Sequence, residues 1–96
     1  MIGAVVTFRF GDHFDEQAVR KIAETARTKF EGTPGLRSKA FTFNSEKREA
    51  ANFYIWDSEE AAKAFFTDQL LERLTGLYGV RPTVEIVQIA TLVENK

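Results

Sequence analysis

The side chains here with a capacity for chemistry are few, and most are cationic or aromatic. His13 is the only histidine. An imidazole titrates near neutrality, so it is a candidate general base, although a distant one. It sits in the polar Gly11-Asp12-His13 turn, where a solvated or capping role is the ordinary alternative. Arg9, Arg37 and Lys39 fall near aromatic residues in strand-like stretches. They could polarise a substrate oxygen or hold an anion. They could equally stack on ring faces or pair with Glu85 of another copy. Phe41, Phe43, Tyr54 and Trp56 could form an aromatic wall for a flat ligand, or fill an interface between copies.

What the chain lacks narrows the chemistry. Without cysteine it has no disulfide, no thiolate nucleophile and no Cys-ligated zinc or iron–sulfur cluster. Gly32-Thr33-Pro34-Gly35 is a turn, lacking the lysine and spacing of a phosphate-binding loop. No Ser/His/Asp arrangement or metal-ligand cluster is visible, and Glu59 and Glu60 read as helix N-terminal charges. A formal net charge of −1 gives no general attraction to nucleic acid, which needs concentrated positive surface. The apolar start MIGAVVTFRFGD is interrupted by Arg9 and Asp12, well short of the roughly 20 residues of a membrane span. It also lacks the features of a signal peptide, so a cytoplasmic protein with no membrane association is expected.

The elements that must position these groups follow from periodicity. At 96 residues the chain is expected to form one domain. Ile2 to Phe10 alternates as a strand. A helix is expected from about Asp15 to Glu31, with Asp15 as N-cap and Val19, Ile22, Ala26 and Phe30 on the buried stripe. Leu36 to Asn44 and Ala50 to Trp56 read as a hairpin. Pairing Asn44 with Glu49 sets Phe41 opposite Asn52, Lys39 opposite Tyr54 and Arg37 opposite Trp56. Asp57 and Glu60 have capping-box spacing, opening a helix that carries Ala61, Ala62, Phe65 and Phe66 inward and continues to Tyr78. Thr83 to Val93 reads as a long last strand.

This βαββαβ order predicts an α+β, ferredoxin-like fold: a four-stranded antiparallel sheet with both helices on one face. The helices are expected to cover Val6, Phe8, Phe53 and Ile55. The other face would then carry Val5, Phe41, Tyr54, Trp56, Val87 and Ile89, too much apolar surface for a monomer to leave in water. A second copy packed sheet to sheet is the simplest cover, giving a homodimeric, barrel-like assembly.

The segments PGLRSKAFTFN, YIWDSEEAAKAFF and YGVRPTVEI resemble a family of small bacterial monooxygenase-like proteins. These are relatives of the antibiotic-biosynthesis monooxygenases, in the dimeric α/β-barrel superfamily. The resemblance implies a homodimer with a ligand cavity between sheet and helices in each protomer. It also implies oxygenation of polycyclic aromatic or quinol-type substrates without metal or flavin, hence no cofactor. Haem-binding relatives use a histidine from the later part of the fold, which this chain lacks, so haem is disfavoured. The leading expectation is a cofactor-independent monooxygenase acting on a small hydrophobic, aromatic or quinol-like molecule. Tyr54, Trp56, Phe66 and Phe41 would line the cavity and Asn52 would make a polar contact. Lys39 or Arg9 would be the electrostatic partner and His13 the remote base. The alternative is a non-catalytic ligand-binding or stress-response dimer of the same fold.

Overall fold

The computed structural model describes residues 1–95. Strand β1 spans Ile2–Arg9, helix α1 Glu16–Ala26, strands β2 and β3 Leu36–Asn44 and Glu49–Trp56. Helices α2 (Glu59–Phe65) and α3 (Asp68–Tyr78) and strand β4 (Thr83–Gln88) complete the chain. The sheet runs β2-β3-β1-β4, antiparallel throughout, with the helices packed on one face. This is the ferredoxin-like α+β fold expected from the element order. Among the described residues no helix is long and apolar enough to cross a membrane.

Side-chain oxygens open each helix where backbone donors would otherwise be orphaned. Asp15 caps α1 by accepting from the Ala18 N–H, and Thr67 caps α3 by accepting from that of Leu70. At α2 the cap is Ser58, which accepts from Ala61 N–H at 3.1 Å, and not Asp57. The single long helix expected after Trp56 is two. Phe66 leaves helical geometry at φ −87°, ψ 69°, and Thr67 restarts the chain as α3. That break lets Phe65 and Phe66 both reach the core although they are adjacent in sequence. Helix α1 is also shorter than expected, tightening into a 3-10 turn at Arg27–Phe30. Strand β4 stops at Gln88 and not Val93, after which Ile89 N–H still reaches Met1 carbonyl.

The hairpin register is the expected one from Asn44↔Glu49 down to Ser38↔Ile55. It then departs: a bulge at Arg37 puts Leu36, not Arg37, opposite Trp56. The bulge turns a charged side chain outward, where Arg37 meets Asp57 at 3.7 Å, and packs Leu36 against the core.

The largest correction concerns which face is covered. Antiparallel pairing sets Ile2 opposite Trp56, Ala4 opposite Tyr54 and Val6 opposite Asn52, and directly opposed residues project to the same side. Tyr54 and Trp56 therefore lie beneath the helices with Val6 and Phe8, and these four are the largest fully buried side chains. Phe41 is on that side too, edge-on to Phe30 with ring centroids 5.9 Å apart. Phe53 pairs with Val5 and Ile55 with Gly3, so both turn to the uncovered face. The physical reason is enclosure: Trp56 and Tyr54 bury the most area where Phe65 and Phe66 close over them. Trp56 lies 5.0 Å from Phe65, and Tyr54 is edge-on to Phe66 at 5.0 Å.

An apolar uncovered face persists: Val5 and Val87 stay on it as expected, while Phe53 and Ile55 take the place of Phe41, Tyr54 and Trp56. Val5, Phe53, Ile55 and Val87 line it, and Phe53 is 46 % exposed. Gly3 keeps this face level. A Cβ there would sit 3.0 Å from Val87 Cγ2 and 3.6 Å from Ile89 Cγ1, so its absence lets β4 side chains lie across β1.

Candidate functional site

Between α1, α3 and the sheet lies a cavity of about 260 Å³. Its sheet wall is Lys39, Phe41 and Asn52, and α3 contributes Arg73, Leu74, Leu77 and Tyr78. The α1 side contributes Ile22, Ala26, Lys29 and Phe30. An adjoining cavity of about 200 Å³ lies on the β2 side of α1 and shares Phe41, Asn52 and Tyr78 with the first.

The polar floor common to both is a pair of neutral groups. Asn52 is 2 % exposed and its amide nitrogen donates to the Tyr78 hydroxyl at 3.4 Å. The Asn52 carbonyl oxygen and the Tyr78 O–H are then available to a ligand. Tyr78 is held by stacking on Phe8, ring centroids 3.7 Å apart. Burial raises its hydroxyl above the ordinary phenol range, with Asn52 opposing the shift, so it stays a proton donor.

Lys39 is the unusual group. Its Nζ lies 3.3 Å from the Phe30 ring centroid, 4.2 Å from Phe41 and 4.3 Å from Tyr54. Among the described residues it makes no ion pair. Burial disfavours the ammonium and pushes Lys39 down to about 7. The ring faces pull the other way by roughly 0.5–2 kcal/mol, less than the desolvation they partly offset. A lysine so placed has a substantial neutral fraction near pH 7 and can take up a proton.

The sequence-derived candidates separate into three groups. Lys39, Phe41 and Asn52 come together on the cavity wall. Tyr54, Trp56 and Phe66 form the packed layer behind it and do not line it. His13 and Arg9 stand apart. His13 borders another depression, with Phe10, Asp15 and Gly79. Arg9 belongs to the uncovered side of β1, where it donates to Thr83 Oγ1 at 3.1 Å and meets Glu49 at 3.5 Å. Among the described residues no group of three His, Cys, Asp or Glu side chains is placed to hold a metal ion.

The comparisons with known proteins agree with this architecture. The profile of the family described as "Putative mono-oxygenase ydhR" matches residues 4–89. The chain belongs to this mono-oxygenase family. Among curated proteins none matches it in sequence. Similar solved structures include the monooxygenase of the gene ActVA-Orf6 from Streptomyces coelicolor, in complex with nanaomycin D. It is 20% identical, with TM-score 0.70 over 99% of this chain and 92% of that one. SnoaB from Streptomyces nogalater, a cofactor-independent oxygenase, is 13% identical with TM-score 0.68, covering 98% and 97% of the two chains. NE2512 from Nitrosomonas europaea, of unknown function, reaches TM-score 0.77 at 13% identity, covering 99% and 94%. At these identities the likeness is one of fold.

Within this family fold, sequence reasoning passed over Tyr78, Phe30, Lys29 and Arg73. Phe30 reads as a helix-stripe residue and Tyr78 as the end of a helix, and nothing in the spacing marks one core aromatic as a cavity wall.

The layer behind the cavity carries a cost of its own. Tyr54 is 2 % exposed and its hydroxyl has no hydrogen-bond partner among the described residues. Burial raises its ionisation well above the usual phenol range, Tyr78 adds to this, and the nearby Asn52 amide opposes it although its hydrogen bond goes to Tyr78 and not to Tyr54. Deleting a buried hydroxyl without a partner relieves a desolvation penalty. Tyr54→Phe is expected to stabilise the protein by about 1 kcal/mol in urea unfolding; a loss of that size would show that the hydroxyl is bonded.

Proposed function

We propose that the protein is a cofactor-independent monooxygenase. Its substrate is a small aromatic or quinol-like molecule bound between α1, α3 and the sheet. The observation that carries the reading is Lys39, an amine without a carboxylate partner that faces Phe30 and Phe41 on the wall of this cavity. Family membership and the oxygenase relatives support the reaction class.

In the proposed reaction Lys39 Nζ takes a proton from the substrate, leaving an electron-rich aromatic anion. The anion gives one electron to dioxygen, and the resulting superoxide and substrate radical combine at carbon as a peroxide. The remaining C–H proton passes to the terminal oxygen as the O–O bond cleaves, releasing hydroxide and leaving a new carbonyl; Lys39 returns its proton to the hydroxide, which departs as water. One CH2 and one O2 become one C=O and one H2O, so no external reductant enters. Asn52 and Tyr78 orient the substrate oxygen, and the aromatic walls supply positioning and a low-dielectric setting.

The working unit in this reading is a homodimer closed by the uncovered sheet faces. Phe53 and Val87 are exposed on a face that no helix covers among the described residues, which favours a two-fold partner.

The experiment is oxygen uptake with anthrone as the probe, in the presence of a chelator and without added flavin. Saturable uptake above spontaneous oxidation, with one quinone formed per O2, is expected. Binding without turnover across anthrones and quinols would overturn the enzymatic reading.

A further inference from the structure

The cavity has a charge asymmetry that the oxygenase reading alone does not require. Lys29 in the Arg27–Phe30 turn and Arg73 on α3 both line it, from opposite helical walls. Both are exposed, and among the described residues neither makes an ion pair. No aspartate or glutamate lines the cavity. Glu24 lines the adjoining cavity on the β2 side of α1, and Glu31 borders a separate groove that also includes Lys39. The chain as a whole is slightly acidic, at −1, so a cavity bordered only by cations is a local feature and not a reflection of composition.

We infer that the ligand is an aromatic carboxylate, its rings against Phe30 and Phe41 and its carboxylate held at the mouth between Lys29 and Arg73. Arg73 offers a planar fork that matches a carboxylate, and Lys29 adds a flexible point charge. The arrangement divides the labour. Charge recognition takes place at the helical mouth, while Lys39 on the sheet wall keeps its amine for the reacting end of the ring system. This inference rests on the proposed reading of the cavity as an aromatic site and narrows it to acidic arenes.

The test compares two near-isosteric probes, naphthalene-2-carboxylate and naphthalene-2-carboxamide, titrated calorimetrically into the protein. At low salt the carboxylate is expected to bind about tenfold more tightly, the combined effect of two solvent-exposed ion pairs. Lys29→Gln with Arg73→Gln should bring the two probes within about twofold of each other and leave the carboxamide unchanged. Both positions are exposed, so circular dichroism of the double variant should match the unmodified protein. Equal binding of both probes, or a carboxylate preference that survives the double variant, overturns the inference and leaves the aromatic cavity standing. If neither probe binds, the reading of the cavity as an aromatic site fails, and this inference with it.

Discussion

Lys39→Met should lower the rate of oxygen consumption by about 100-fold or more, the usual contribution of a positioned base. The same substitution should make the protein more stable near pH 6. Both effects come from one group in one place. The Lys39 amine is pushed down to about 7 by burial, whereas in the unfolded chain it would titrate near 10.4, about the usual lysine value. Below pH 7 it is charged in both states, and folding bears the full cost of taking an ammonium out of water. Between about pH 7 and 10.4 the unfolded chain binds more protons, so stability rises with pH and the cost fades. Above that range it is gone. Met fills similar space with no charge to desolvate. Since Lys39 is only partly buried and its ammonium lies on three rings, solvent screening and ring contacts reduce the gain to roughly 1–2 kcal/mol. Urea titrations at pH 6 and pH 10.5 should show the gain at the lower pH and its loss at the higher. A variant that is less active but shows no pH-dependent gain would mean that Lys39 is not desolvated as described.

Phe53→Asp should dissociate the proposed sheet-to-sheet dimer. Phe53 is 46 % exposed in the protomer and pairs with Val5 in the middle of the uncovered face. In a two-fold interface each substitution appears twice, so two carboxylates would enter the layer around Val5, Ile55 and Val87. A weakening on the order of 100-fold or more is expected, readable as a shift from dimer to monomer mass in sedimentation at micromolar concentration. The protomer core, on the opposite side of the sheet, should keep its far-ultraviolet circular dichroism. An unmodified protein that sediments as a monomer, or a variant that still dimerises fully, would remove the sheet-to-sheet assembly.

The choice of face shows why sequence took the fold so far and the site less far. Element order and the Asn44↔Glu49 register are legible because turns, caps and alternation act over a few residues. Strand β3 resists because both of its faces are apolar: Phe53 and Ile55 alternate with Tyr54 and Trp56, so patterning offers no inside and outside. Its orientation is settled only by pairing with β1, which aligns Tyr54 with Ala4 and Phe53 with Val5. The consequence for the site was direct. Tyr54 and Trp56 moved from a ligand-facing wall to the packed layer behind it, and Phe30 and Tyr78 took their place. The Arg37 bulge was hidden for a related reason, since one extra residue leaves no mark in composition. His13 attracted attention by residue type, yet its turn carries it to another part of the surface. Lys39 was legible because a cation placed by register opposite an aromatic must either leave the sheet or settle on the rings, and it settles.

This cavity wall presents an amine whose charged form is disfavoured by burial, so Lys39 titrates far below an ordinary lysine. Nuclear magnetic resonance of lysine-labelled protein tests it most directly, with the Lys39 side-chain signal assigned by its absence from Lys39→Met. A midpoint close to 7 is expected. A midpoint near that of an ordinary solvated lysine, about 10.4, would contradict the account.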